Sequence, residues 1–303
     1  MEITEILHQF ERATGKFPRA AVEAAAARAE EVTPELLRIL EETVNQAAER
    51  DAEGDYMAHL YAMFLLAQFR ETRAYPLVLR FASLPGDLLD SLCGDFLTED
   101  LGRVLASVCG GRMEGIQSLT EDEAADEWAR GAALTSLVTL AAAGQKSRDE
   151  IVGYFASLFR GKLARKWSQV WDSLVSFSSD LYPAELLEDI ERAYEEGLVD
   201  PGYIGFDDVK RDLAMGKDRV LTRLANDRHQ RLVEDTVKEM GWWACFRDDG
   251  RSGARGASQA AARSTANSPW RHLSRPGEQR PKRAGTNHVR AAAAGNTRRC
   301  CGA

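Results

Sequence analysis

Apolar residues recur at helical spacing through the first four-fifths of the chain, and then the pattern stops. After Thr33-Pro34-Glu35, the positions Leu36, Leu37, Leu40 and Val44 fall on one helical stripe. Thr33 is expected to cap that helix. Pro34 would take its first position, where a missing N–H is harmless, and Glu35 would lie at the positive end of the dipole. Ser147-Arg148-Asp149-Glu150 reads as a capping box before Ile151, Val152, Phe155 and Phe159, and Thr120-Glu121-Asp122-Glu123 reads as another. Glu99-Asp100 and Asp207-Asp208 are acidic pairs expected at helix starts. Gly144 stands where a helix ending at Ala143 needs a left-handed residue. Sustained alternation of period two is missing, as is any Asn-Gly or Asp-Gly turn between β-branched runs. The expected fold class is all-α.

The helices come in pairs. Residues 59–69 precede 75–81, 126–143 precede 149–159, and 171–181 precede 182–194, with a shorter pair at 98–108 and 114–119. Tyr75-Pro76 and Tyr182-Pro183 stand at equivalent places, where a second helix starts. The first helices begin roughly 35–45 residues apart, the period of a HEAT-like α-solenoid of stacked antiparallel helix pairs. One pair cannot bury its apolar stripe alone, so neighbours share a continuous core. Residues 198–246 read as a terminal cap of two or three helices, with Trp242-Trp243-Ala244-Cys245-Phe246 as the buried plug of the last repeat.

Charge divides the chain. It holds 39 Lys and Arg against 47 Asp and Glu, a net −8. Residues 251–303 carry eleven of the cations and the single acid Glu278, about +10, which leaves about −18 on residues 1–250. So acidic a body disfavours phosphate contacts, and no specific nucleic acid is expected as a partner. The basic tail alone would bind nucleic acid only non-specifically, at low salt. Met1-Glu2-Ile3-Thr4-Glu5 lacks the basic and apolar regions of a signal peptide, and residues 134–143 are too short to span a bilayer, so no membrane association is expected. Five cysteines in 303 residues suggest no disulfide framework. Cys93 and Cys109 read as buried thiols in a reducing, cytoplasmic setting. Dinucleotide, phosphate-loop, metalloprotease and nucleophile-elbow signatures are all lacking, and His8, His59 and His229 are scattered. The expectation is a non-enzymatic protein without a cofactor.

Several runs together carry a resemblance. They are residues 59–67 (His59-Leu60-Tyr61-Ala62-Met63-Phe64-Leu65-Leu66-Ala67), Arg73-Ala74-Tyr75-Pro76-Leu77, Leu97-Thr98-Glu99-Asp100-Leu101, Arg130-Gly131-Ala132-Ala133-Leu134 and residues 194–201. Over residues 1–247 the chain resembles an uncharacterised bacterial family of HEAT-like helical repeat proteins, a domain of unknown function. Asp126, Arg130, Ala132, Ala133, Leu134 and Leu137 are similar to the first-helix pattern of such repeats. The resemblance implies a fold and leaves the activity open. Members often end in a SEC-C motif, a zinc-binding tail also found on the SecA translocation ATPase, in which Cys-x-Cys and Cys-Cys-Gly supply soft ligands for tetrahedral zinc. Here residues 295–302 match the second half, while Arg290-Ala291-Ala292-Ala293-Ala294 stands where Cys-x-Cys belongs. Cys300 and Cys301 therefore form a remnant half-site, and zinc is expected in relatives with the whole motif. GC-rich codons for Pro-Cys-Arg-Cys-Gly-Ser, read one base late, give Arg-Ala-Ala-Ala-Ala. On that reading residues 249–294 are frame-shifted between two compensating indels. A disordered basic tail over 248–303 is the plainer alternative, and resequencing the coding DNA separates the two.

Trp128, Arg130, Trp167, Trp171, Asp180 and Tyr182 lie on consecutive pairs, where stacking aligns equivalent positions along a groove. Trp, Tyr and Arg are common at binding hot spots, so these six are the candidate partner-binding residues, with packing between repeats as their structural alternative. The function expected is a scaffold that binds a protein or peptide of basic or mixed surface. The alternative is an unrecognised enzyme or small-ligand binder using the groove, which a deep cavity with convergent acids and a histidine would favour.

Overall fold

The computed structural model describes residues 1–246, which form seventeen α-helices and no strand. The basic tail, the shifted frame and the Cys300/Cys301 half-site lie outside the described residues. The first helices are α1 (Ile3–His8), α2 (Arg19–Ala27), α3 (Ala29–Asn45), α4 (Ala47–Glu53) and α5 (Ala58–Gln68). Next come α6 (Tyr75–Ala82), α7 (Gly86–Cys93), α8 (Phe96–Glu99), α9 (Leu101–Val108), α10 (Glu114–Glu121) and α11 (Glu127–Ala142). The rest are α12 (Arg148–Ser157), α13 (Gln169–Asp180), α14 (Leu187–Glu195), α15 (Phe206–Met215), α16 (Lys217–Asn226) and α17 (Thr236–Met240).

Five helices make a central row in chain order: α5 packs on α9, α9 on α11, α11 on α13 and α13 on α15. Beside the row, α3 packs on α5 and α6, α10 on α6 and α11, and α12 on α11 and α13. Covered on several sides, α5 is buried from Ala58 to Ala67 and most of α11 from Ala129 to Leu140. A helix enclosed in this way has to be apolar nearly all round. Small residues let the row close up. A Cβ on Gly102 of α9 would stand 2.6 Å from the Ala132 carbonyl oxygen of α11. Cys93 and Cys109 are both buried.

Local punctuation holds where a side chain meets its own backbone. Ser147 Oγ accepts from Glu150 N at 3.2 Å, Gly144 adopts φ 68°, and the Asp208 carboxylate accepts from Gly205 N at 3.0 Å. Two caps lie elsewhere than expected. Thr33 falls inside α3 and donates to the Ala29 carbonyl at 2.6 Å, because burial of Val32 and Leu36 draws the helix start back to Ala29. Pro34 sits in the second turn, where it removes a single helical bond. Thr120 closes the buried stripe of α10 and donates to Ile116 O at 3.0 Å. The cap of α11 is Asp126, which accepts from Trp128 N at 2.9 Å and Ala129 N at 3.2 Å. Asp126→Ala is expected to lower stability by about 1 kcal/mol, measured by urea denaturation. No change would show that the cap is dispensable.

After α16 the chain turns back along the row. Thr139 of α11 donates to Gln230 Oε1 at 3.1 Å, and Val233 N donates to Ser107 Oγ of α9 at 3.0 Å. Thr236 donates to Gln68 Oε1 of α5 through both its N and its Oγ1, at 2.8 Å each. Trp243 meets Phe64 with ring centroids 5.7 Å apart, and Phe246 meets Phe17 at 5.4 Å. Residues 230–246 thus pass α11, α9, α5 and α2 in reverse order. The expected plug of the last repeat is corrected here: Trp243 is buried, but against the beginning of the chain. Arg103 pins the returning segment, as its Nε donates to Arg231 O at 2.8 Å and its Nη2 to Glu239 at 2.6 Å. It also pairs with Asp100 at 2.7 Å, so this acid, which stands at the start of α9 as expected, spends its carboxylate on a buried ion pair and not on capping the helix.

Candidate functional site

The returning segment does not reach the far part of the row. There, α11, α13, α15, α16 and residues 227–230 enclose a cavity of about 650 Å³. Its floor is made of small residues, Gly131, Ala132 and Thr135 of α11 with Ser173, Ser176 and Ser179 of α13. Gly131 eases the approach of the two helices, since a Cβ there would stand 3.2 Å from Ser173 Oγ and the serine would have to give by a few tenths of an ångström. Trp128, Phe177 and Tyr203 supply apolar wall. Asp180, Asp208, Asp212 and Asp227 converge with Arg211, Arg223 and His229 on the other side.

Most of these charges are already matched. Arg211 pairs with Asp208 at 2.6 Å and Arg223 with Asp212 at 2.7 Å. Asp227 accepts from His229 N at 2.9 Å. Arg228 Nε donates to His229 Nε2 at 3.0 Å, which assigns the imidazole proton to Nδ1. Burial and the Arg228 charge hold His229 below its ordinary value. Asp180 fares differently. It ends α13, and among the described residues its ion pair is with Arg223 at 3.6 Å, which is more tightly held by Asp212. Burial, with Asp212 and Asp227 adding to it, outweighs Arg223 and pushes Asp180 up to about 7. The side chain keeps 28% of its surface open, so solvent screens part of that push. Beside it on α13, Ser179 is 3% exposed, and its Oγ has no hydrogen-bond partner among the described residues.

The sign of the pH effect follows. Folded Asp180 holds its proton more tightly than the unfolded chain does. Its contribution is therefore full below the ordinary value of 3.8 and is lost as pH rises through about 7. Asp180→Asn is expected to raise stability at pH 8 by roughly 1–2 kcal/mol after screening and to change little at pH 4. Urea denaturation at the two pH values checks this, and equal effects at both would contradict it.

The six residues singled out from sequence separate. Trp128, 42% exposed, and Asp180 line the cavity. Trp167 is exposed but outside the cavity lining. Arg130 is buried, and its Nε donates to Thr120 O at 2.9 Å, fastening α11 to α10. Trp171 is 1% exposed, donates through Nε1 to Ala164 O at 3.1 Å and packs on Phe159. Neither Arg130 nor Trp171 presents a surface to a partner, and both are corrected to packing. Tyr182 sits in a left-handed turn at φ 63°, with its carbonyl accepting from Arg148. Sequence reasoning missed Ser179, Asp212, Arg223, Asp227 and His229. A usable signal was the run Ser173, Ser176, Ser179, whose spacing of three places hydroxyls along one helix face.

Among the described residues, no group of three or more His, Cys, Asp and Glu is arranged to hold a metal ion, and no helix is long and apolar enough to cross a membrane. Two relatives are uncharacterised proteins of Chlamydia. The one from Chlamydia trachomatis serovar D is 40% identical over 244 residues, covering 80% of this chain and 96% of its own. The one from Chlamydia muridarum is 39% identical over 244 residues, covering 80% of this chain and 97% of its own. No solved structure matches the chain. The family described as a protein of unknown function, DUF1186, matches residues 1–247, and the chain belongs to that family.

Proposed function

We propose that the protein is a non-catalytic scaffold of HEAT-like stacked helix pairs, working in the cytoplasm, that seats part of a protein or peptide partner in the cavity beside α11 and α13. One observation carries the reading. The row of central helices already holds a stretch of polypeptide, non-helical over residues 231–235 and then entering α17, with the Val233 amide on Ser107, the Thr236 amide on Gln68 and the Arg231 carbonyl on Arg103. Side-chain reading of a backbone in this way is how a groove grips a peptide. On the other side of Gln230 the same row lines the cavity. The buried free thiol of Cys109 supports a reducing compartment.

A small-ligand pocket is the second reading. It is carried by the cavity's volume of about 650 Å³ together with its convergent acids and histidine, which suit a small molecule. A photo-crosslinking residue placed at 128, with the exposed position 167 as control, tests the scaffold against a panel of short unstructured peptides. Preferential adducts at 128 with a defined peptide class are expected. Equal labelling at the two positions for every peptide would defeat the scaffold reading.

A further inference from the structure

We infer that the end of the cavity beside Gln230 takes a lysine of a partner segment, with its backbone N–H on Ser179 Oγ and its ammonium on the Asp180 carboxylate. The inference rests on the reading of this cavity as a peptide site and names the residue that the site selects. The returning segment supplies the pattern. Gln68 ends α5, Ser107 stands one residue before the end of α9, and Thr139 three before the end of α11. Each meets the returning segment: Gln68 takes the Thr236 amide, Ser107 takes the Val233 amide, and Thr139 meets the Gln230 side chain. Ser179 stands one residue before the end of α13, the next helix of the row. It lines the cavity that Gln230 also lines, it is 3% exposed, and its Oγ has no hydrogen-bond partner among the described residues. An enclosed hydroxyl without a partner is rare in a folded protein, and an N–H donor arriving at that end would supply one.

The charge of the incoming residue follows from the neighbours. Asp180 comes directly after Ser179, and consecutive Cα atoms lie about 3.8 Å apart, so both fall within reach of one incoming residue. Asp212 and Asp227 act on Asp180 as like charges, against the single cation Arg223. Arg223 lies 2.7 Å from Asp212 and 3.6 Å from Asp180. Three carboxylates thus gather around one guanidinium. An ammonium at Asp180 leaves the Arg223–Asp212 pair whole, whereas a carboxylate has to take Arg223 from Asp212 and face Asp180 and Asp227 as well. The other charges of the cavity do not reverse this. Arg211 is paired with Asp208 at 2.6 Å, Arg228 is turned onto His229, and Glu99 adds a further acid to the lining.

The test uses the full 303-residue chain at pH 8, where Asp180 is charged, and three end-capped tripeptides, Gly-Lys-Gly, Gly-Gln-Gly and Gly-Glu-Gly. The readout is the backbone amide resonances of Asp180 and Gln230. The Trp128 indole is the distant reference, since Trp128 follows Glu127, which meets Gln169 at the first residue of α13, and Asp180 is the last. Gly-Lys-Gly is expected to shift both amides saturably and the Trp128 indole by less. Gly-Gln-Gly keeps the backbone N–H without the charge and is expected to bind about tenfold more weakly, as is Gly-Lys-Gly to Asp180→Asn. Ser179→Ala is expected to weaken Gly-Lys-Gly by about threefold. Gly-Glu-Gly binding as tightly as Gly-Lys-Gly overturns the inference, and so do Asp180 and Gln230 amides that stay still with Gly-Lys-Gly. Undiminished binding to Asp180→Asn overturns it too; if that variant fails to fold, undiminished binding to Ser179→Ala does so. The scaffold reading beneath it falls separately, by the crosslinks at position 128.

Discussion

Arg103→Ala is expected to destabilise the protein by about 3–5 kcal/mol, the cost of breaking a buried ion pair from one side. The guanidinium joins two parts of the fold that are far apart in sequence, α9 and the returning segment. Its Nη1 donates to Asp100 at 2.7 Å and to Glu239 at 2.9 Å, its Nη2 to Glu239 at 2.6 Å, and its Nε to Arg231 O at 2.8 Å. Burial and the Glu239 charge already outweigh the pull of Arg103 and push Asp100 up to about 6. At neutral pH it remains ionised beside the guanidinium. Deleting that group leaves two carboxylates facing each other away from water. Arg103→Lys is expected to recover little, because an ammonium cannot fork across Glu239 while also reaching the Arg231 carbonyl. Urea denaturation of the wild type and both variants measures this. A loss of under about 1 kcal/mol for Arg103→Ala would mean that the returning segment is not held as described.

Trp171→Ala is expected to lose a similar amount, about 3–5 kcal/mol. The ring lies at the start of α13, against Phe159 at 5.9 Å between centroids and beneath the Arg165 guanidinium at 5.6 Å. Its Nε1 closes the loop before α13 by donating to Ala164 O at 3.1 Å. Removing it opens a void at the joint between α12 and α13 and leaves the Ala164 carbonyl without this donor. A hot-spot residue would behave in the opposite way, since its loss would weaken partner binding and leave the unfolding midpoint in place. Thermal unfolding of Trp171→Ala with Trp167→Ala alongside separates the two roles. The exposed Trp167 is expected to change stability by less than about 0.5 kcal/mol.

Helical periodicity is a local property, and the all-helical character was legible from it. The enclosed helices α5 and α11 stood out as long apolar runs, and caps such as Ser147 and Gly144 depend on contacts within one turn. Thr33 and Thr120 misled because each had sound cap chemistry that tertiary burial overrode. The returning segment was illegible. The Arg103–Glu239 pair spans 136 positions, and nothing in residues 230–246 marks them as companions of α9 and α5. For the same reason the site was half seen. Trp128 and Asp180 belong to long, strongly patterned helices. Asp212, Arg223 and Asp227 come from α15, α16 and the turn after it, where charged residues on every side blur the inward face.

Past the contact of Gln230 with α11, the non-helical residues 231–235 and then α17 lie as a strap along α9 and α5, with the cavity on the other side of Gln230 along the row. Native-state hydrogen exchange at the Val233 and Thr236 amides tests this arrangement most directly. Both bonds, to Ser107 Oγ and Gln68 Oε1, are buried or half-buried. Protection close to that of the α9 core amides is the predicted result. Exchange of both amides at the rate of an unstructured peptide would contradict it.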